Sequence, residues 1–138
     1  MSYRIREVKT FKHIQNLNER IFPGEPYKRH NYGYYWLVFN NDRPVGFAGM
    51  HICSNTKEYD TVFLSRSGVI KAHRGKGLGN RLLRVRINLC KKLEVKTIIT
   101  YTIDNIPSAN NLISMGFRIY DPDYRYGGLE AIHWRMDL

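Results

Sequence analysis

GVIKAHRGKGLGNRLLRVRINLCKKL, residues 68–93, is the stretch that decides the fold of this chain. Glycines stand at 75, 77 and 79, directly after the hydrophobic strand end Val69-Ile70 and directly before the longest amphipathic run in the sequence. Glycine adopts φ > 0 and lets a ligand approach the backbone, while the first amides of a helix lack an intrahelical acceptor. Such a strand-to-helix junction is an anion site, favoured by the helix dipole, by loop amides and by the charges of Arg74, Lys76 and Arg81. It is not a Walker A loop, which needs GxxxxGK[ST]. Nor is it a dinucleotide fingerprint: Asn80 stands where GxGxxG needs its third glycine, and no acidic residue follows about 20 positions on.

Working outward, Leu78, Leu82, Val85, Leu89 and Leu93 recur at helical spacing, with Arg81, Arg84, Asn88 and Lys91 on another face. Lys96 to Thr102 is a strand rich in β-branched residues. Together with the strand Thr61 to Ile70 and the helix, it makes a β-α-β crossover, which favours parallel pairing. Upstream, Tyr3 to Val8 reads as a strand, and Phe11, Ile14, Leu17 and Ile21 as a helix stopped by FPGEP at 22–26. Tyr34 to Phe39 and Val45 to Ile52 form a hairpin around NNDRP at 40–44. Downstream, Pro107 to Met115 is a short helix stopped by Gly116, and Phe117 to Tyr120 and Glu130 to Met136 are closing strands around DPDYRYGG. The pattern is an α/β fold with a sheet of mixed direction.

At 138 residues the chain is expected to form one domain, residues 1–138, large enough to bury a core without staples. Its two cysteines, Cys53 and Cys90, suggest buried thiols, with no disulfide framework and no metal site. No apolar run approaches the roughly 20 residues of a membrane span. MSYRIREVKTFKH, charged from its fourth residue, lacks the apolar centre of a signal peptide, so a cytoplasmic protein is expected. Against 12 Asp and Glu stand 22 Lys and Arg, a net charge of +10 that favours partners carrying negative charge.

Arg74-Gly75-Lys76-Gly77-Leu78-Gly79 resembles the RxxGxG acyl-CoA signature of the GNAT superfamily of N-acetyltransferases. Asn105-Ile106-Pro107-Ser108-Ala109-Asn110-Asn111-Leu112-Ile113-Ser114-Met115-Gly116-Phe117 is similar to that family's second block, NxxAxxLYxxxGF, at the right distance downstream. The resemblance implies the GNAT-like fold: a central mixed, mostly antiparallel sheet flanked by helices in the order βααβββαβαββ. It implies acetyl-CoA as cofactor, with the pyrophosphate on the amides of Arg74 to Gly79. Asn80 and Arg81 follow at the helix start. The pantetheine arm would run between the strands Thr61 to Ile70 and Lys96 to Thr102. By the same analogy the backbone of Val69 and Ile70 holds the arm, Val69 donates to the thioester oxygen, and Asn105 and Ser108 flank the pantetheine. An amine then attacks the thioester directly, with no covalent enzyme intermediate.

The tyrosine that many members place four residues before the GF glycine, as acid for the departing thiolate, is Leu112 here. Tyr101, Ser108 and Tyr120 are the candidates for that role. The strand TVFLSRSGVI offers no carboxylate for the base, which leaves His51, Glu58, Asp60 and Asp104. GEPYKRHNYGYYW and DPDYRYGG are aromatic and basic, which disfavours polyamine acceptors and favours an amine carried on an acidic protein or nucleic acid. The enzyme is expected to act off the membrane, as a monomer or homodimer. Two alternatives stand beside an acyltransferase: a noncatalytic acyl-CoA-binding protein, suggested by Leu112, and a nucleic-acid-binding or nucleobase-modifying protein on the same fold, suggested by the charge.

Overall fold

In the computed structural model, which describes residues 2–53 and 60–138, the chain forms seven strands and three α-helices. In chain order these are β1 (Tyr3–Val8), α1 (Lys12–Ile21), β2 (Gly33–Asn40), β3 (Arg43–Ile52), β4 (Thr61–Val69), α2 (Leu78–Lys92), β5 (Thr97–Thr102), α3 (Ile106–Ser114), β6 (Arg118–Ile119) and β7 (Ile132–Asp137). A 3-10 turn, Lys71–His73, links β4 to α2. The strands make one mixed sheet in the order β1-β2-β3-β4-β5-β7-β6. β1–β2, β2–β3, β5–β7 and β6–β7 are antiparallel. β4 and β5 pair in parallel over Thr61–Phe63 and Thr97–Ile99, the pairing the crossover favours. The next carbonyl, Leu64, accepts from the Thr100 hydroxyl at 2.9 Å.

The fold is the mixed α/β architecture expected, with one correction. A single helix stands between β1 and β2, where the resemblance implies two. The reason is local: Pro26 biases Glu25 away from helix, and Gly24 sits at φ 79°. Side chains then satisfy the irregular backbone that follows. Asn18 Nδ2 and Arg66 Nη1 donate to the Glu25 carbonyl at 2.8 and 2.9 Å, and the Arg66 guanidinium lies over the rings of Phe22 and Tyr27.

The described residues fall into two compact units, through both of which β4 and α2 run. The first comprises residues 2–51 and 65–82. Its core includes Ile14 and Leu17 of α1, Leu37 and Val38 of β2, and Val45, Phe47 and Met50 of β3. Full burial of each such side chain contributes roughly 1.5–3 kcal/mol. The second comprises residues 52, 53, 60–64 and 83–138. Its core includes Val62, Ile87, Cys90, Ile98, Leu112 and Trp134. The buried Trp134 indole donates to Thr102 Oγ1 at 3.0 Å, so its polar edge is satisfied.

On α2 the buried face differs from the stripe the leucines suggest. Leu78 and Leu82 are buried, but the row continues through Arg86 and Cys90, flanked by Leu83 and Ile87. Leu93 is 42% exposed. Arg86 is a buried charged residue on this core face, 5% exposed. Arg81, Arg84, Asn88 and Lys91 are exposed, as expected. No helix among the described residues is long and apolar enough to cross a membrane.

Candidate functional site

The glycine turn lies wholly in the first unit. β4 ends at Val69, and Ile70 closes the strand by donating its N–H to the Val45 carbonyl at 2.9 Å. Arg74 Nε returns to the Val69 carbonyl at 2.9 Å and fixes the turn's entrance. Gly75 and Gly77 then take φ 75° and 76°, left-handed values that L side chains rarely adopt. A Cβ built on either meets nothing within 4 Å, so their bareness serves conformation and leaves open space over the backbone. The first helical bond of α2 runs from Arg81 N–H to the Gly77 carbonyl at 3.1 Å. The amides of Leu78, Gly79 and Asn80 precede it and have no acceptor inside the helix. Leu78 is buried and anchors the helix start. Arg74, Lys76, Gly79 and Arg81 are exposed, and Asn80 is half-buried with its side-chain oxygen enclosed and unpartnered among the described residues. Beside the turn, Arg20, Lys71 and Arg74 line a cavity of about 440 Å³ together with Ile21, Ile70 and Ala72. The arrangement presents amides and positive charge to an anion.

His51, at the end of β3, stacks on His30 with ring centroids 4.1 Å apart and planes 9° from parallel. His30 is itself fixed, its N–H donating to Tyr35 Oη at 2.7 Å and its Nδ1 accepting from Tyr32 N–H at 3.1 Å. Burial first, and the neighbouring His30 second, push the His51 pKa down to about 4. The ring is neutral at pH 7 and a weak proton acceptor.

The remaining sequence candidates lie in the second unit. Asn105 caps α3, its Oδ1 accepting the Ser108 N–H at 3.1 Å, with Pro107 in the first turn. Asp104 is exposed in the preceding turn at φ 44°, a conformation aspartate tolerates. Asp60, half-buried before β4, faces Lys96 Nζ at 3.6 Å, and Glu58 lies outside the described residues. Tyr101 on β5 is half-buried against Phe63 and His133. Tyr120 follows β6, donates its N–H to the His133 carbonyl at 3.0 Å, and carries Arg135 over its ring. Burial, then Tyr126, raises the Tyr120 pKa, so the phenol keeps its proton at neutral pH.

Tyr101 and Tyr120 thus meet around a residue that sequence reasoning passed over, His133 of β7, which is 2% exposed. In AIHWRM it reads as one more strand position between apolar neighbours, and nothing local marks it. Cys53 and Cys90 are buried thiols, as expected. Burial pushes both pKa values up, that of Cys90 to about 11, so neither is poised as a nucleophile.

The acetyltransferase (GNAT) family model matches residues 4–117, and the chain belongs to that family. The matched segment contains the glycine turn and ends at Phe117, the last residue of the second block. Among solved structures, the ribosomal-protein-S18-alanine N-acetyltransferase of Escherichia coli shares 17% identity at a TM-score of 0.79, over 99% of this chain and 94% of that one. An IAA acetyltransferase from Bacillus cereus shares 18% at 0.79, over 99% and 100%. A Bacillus subtilis acetyltransferase solved in complex with CoA shares 22% at 0.74, over 99% of both chains. At such identities the likeness speaks for the fold. No curated protein matches the sequence.

Proposed function

We propose that the chain is a single-domain N-acyltransferase that moves an acetyl group from acetyl-CoA to a primary amine by direct attack in a ternary complex. One observation carries the reading: in a member of the GNAT family, two left-handed glycines open the backbone directly before the unbonded amides of a fifteen-residue helix. The residues fit a diphosphate. The amides from Gly75 to Asn80 donate, while Arg74, Lys76 and Arg81 supply charge. The Bacillus subtilis relative, solved with CoA, supports the choice of ligand. Bound acetyl-CoA would supply an acyl group already activated as a thioester. Val69 and Ile70 beside the turn, and Asn105 and Ser108 in the second block, take the cofactor-binding roles that the family motifs imply.

The chain's own residues favour direct transfer over an acyl-enzyme, because both thiols are buried with raised pKa values. Tyr101, Ser108 and Tyr120 are the acid candidates, Tyr120 handicapped by a raised pKa that makes it a poorer proton donor. A thiol of pKa about 8.5 is in any case a tolerable leaving group. His51 and Asp104 remain candidates for the base, His51 handicapped by its low pKa.

Calorimetric titration with CoA, followed by thiol release from acetyl-CoA across a panel of amines and peptides, tests the proposal. Binding with turnover supports it. Binding without turnover on any acceptor favours a noncatalytic acyl-CoA binder. That second reading draws on Leu112, a core residue 5% exposed where many members carry the acid tyrosine. Absence of CoA binding sinks both.

A further inference from the structure

Within the second unit, Ile119, Tyr120, Asp121, Arg125, Ala131 and His133 line most of a cavity of about 480 Å³. Its wall is unusual in what it leaves unsatisfied. Both ring nitrogens of His133, and Nε of Arg125, are enclosed and have no hydrogen-bond partner among the described residues. Leaving such groups unpaired is costly, and three at one cavity mark a ligand better than they mark a core.

The surroundings define what these atoms would take. Tyr101, Tyr120 and Tyr126 place their rings 5.8, 6.4 and 6.5 Å from the His133 ring. Burial first, and the Arg125 charge second, hold the His133 pKa below its ordinary value, so the neutral ring offers one lone pair and one N–H. Arg125 is anchored by Nη1 on Asp121 Oδ1 at 3.2 Å and Nη2 on the Ala131 carbonyl at 2.8 Å, which leaves Nε as a fixed, unused donor. The Ala131 carbonyl, with a second lone pair to spare, also acts on the His133 ring and offsets part of the burial, though outside hydrogen-bonding geometry. Beside His133, Tyr126 and the following Gly127 are packed close: a Cβ on Gly127 would stand 2.6 Å from Tyr101 Cδ2 and 2.7 Å from Ala131 Cβ.

We propose that this cavity seats the acceptor and is built for an α-amino group next to a carbonyl, the free N-terminus of a peptide or an amino acid derivative. The lone pair of His133 receives the ammonium N–H, the tyrosine faces surround the cation, and Arg125 Nε donates to the carbonyl oxygen. In the proton step the ammonium gives one proton to the unprotonated ring nitrogen, leaving a neutral amine and an imidazolium. An α-amine of pKa about 8 suits this weak imidazole better than a lysine of about 10.4. Since the three nitrogens are enclosed, binding requires the Tyr126–Gly127 segment to lift.

The inference rests on the acyltransferase reading, and its test keeps the two apart. In the full-length protein the His133 ring resonances are followed by NMR while glycinamide, N-acetylglycinamide or n-butylamine is added. Glycinamide is expected to shift them saturably, with the blocked amide and the carbonyl-free amine at least about tenfold weaker. Equal affinity for all three, or unmoved resonances to the solubility limit of glycinamide, overturns the inference even where CoA binds normally. His133→Phe and Arg125→Met, checked for folding by circular dichroism, are each expected to raise KM for α-amine acceptors at least about tenfold and leave CoA affinity unchanged. Unchanged KM in both folded variants counts equally against it.

Discussion

His51 and His133 are both half or fully enclosed imidazoles with lowered pKa values, yet they differ in partners, and the difference sets what each is expected to do. His51 has a ring stacked on it, so its low pKa acts on stability. The native ring takes its proton only near pH 4 and the unfolded ring near 6.5. The unfolded chain therefore binds more protons in that window, and the contribution is whole above pH 6.5 and lost as pH falls toward 4. Allowing for solvent screening, it amounts to about 1–2 kcal/mol. Urea midpoints of wild type and His51→Asn, compared at pH 7 and 4.5, should show the variant losing less stability on acidification. Neither the stack nor the cage was legible in the sequence, because His30 lies 21 positions from His51 and the tyrosines reach His133 from separate elements. Gly77 is the opposite case, since its place in a glycine-rich strand-to-helix junction already pointed to φ > 0. Gly77→Ala meets no clash but must hold φ 76°, at a cost of about 1–2 kcal/mol. Melting and CoA calorimetry should show both a lower Tm and weaker CoA binding.

Two helices stop in the same way with different residues, and the contrast shows which element boundaries a sequence reveals. At the end of α3, Gly116 takes φ 99°, Phe117 N–H reaches back to the Leu112 carbonyl and Gly116 N–H to that of Ile113, both at 3.0 Å. At the end of α2 the same pair of bonds runs from Val95 to Cys90 and from Glu94 to Lys91, at 3.0 and 3.2 Å, with Glu94 at φ 60°. Glycine announced the first stop, and glutamate concealed the second. Glu94→Gly should therefore stabilise the protein by up to about 1 kcal/mol, read as a rise in Tm with activity unchanged. The face of α2 was misjudged for a related reason, since Arg86 counts as polar by type and yet is buried. At the start of α3, Asn105→Ala should cost about 1 kcal/mol through loss of the bond to Ser108 N–H, whereas Asn105→Asp keeps the cap. If the Asp variant melts like wild type yet has a raised KM for acetyl-CoA, Asn105 serves the cofactor as well as the helix.

At the scale of the whole chain, the sequence made the sheet legible because strand alternation, the crossover and the glycine turn all point to one architecture. The helix count between β1 and β2 came from analogy, and there the prolines of this chain prevailed. Net charge is the other property of the whole, and it bears on encounter with ligands more than on fold. With 22 Lys and Arg against 12 Asp and Glu, the excess of +10 attracts acidic acceptors and repels basic ones over a screening length of about 10 Å at 0.1 M salt. Two peptides with the same free N-terminal alanine, one continued by glutamates and one by lysines, isolate this effect from the chemistry at the amine. At low ionic strength the acidic peptide should have a kcat/KM about tenfold or more above that of the basic peptide. The ratio should fall toward unity at about 0.5 M salt, because the screening length there is only a few ångströms. A preference that survives high salt would instead locate selectivity in direct contacts, and a preference for the lysine peptide would show that a local acidic surface outweighs the global charge.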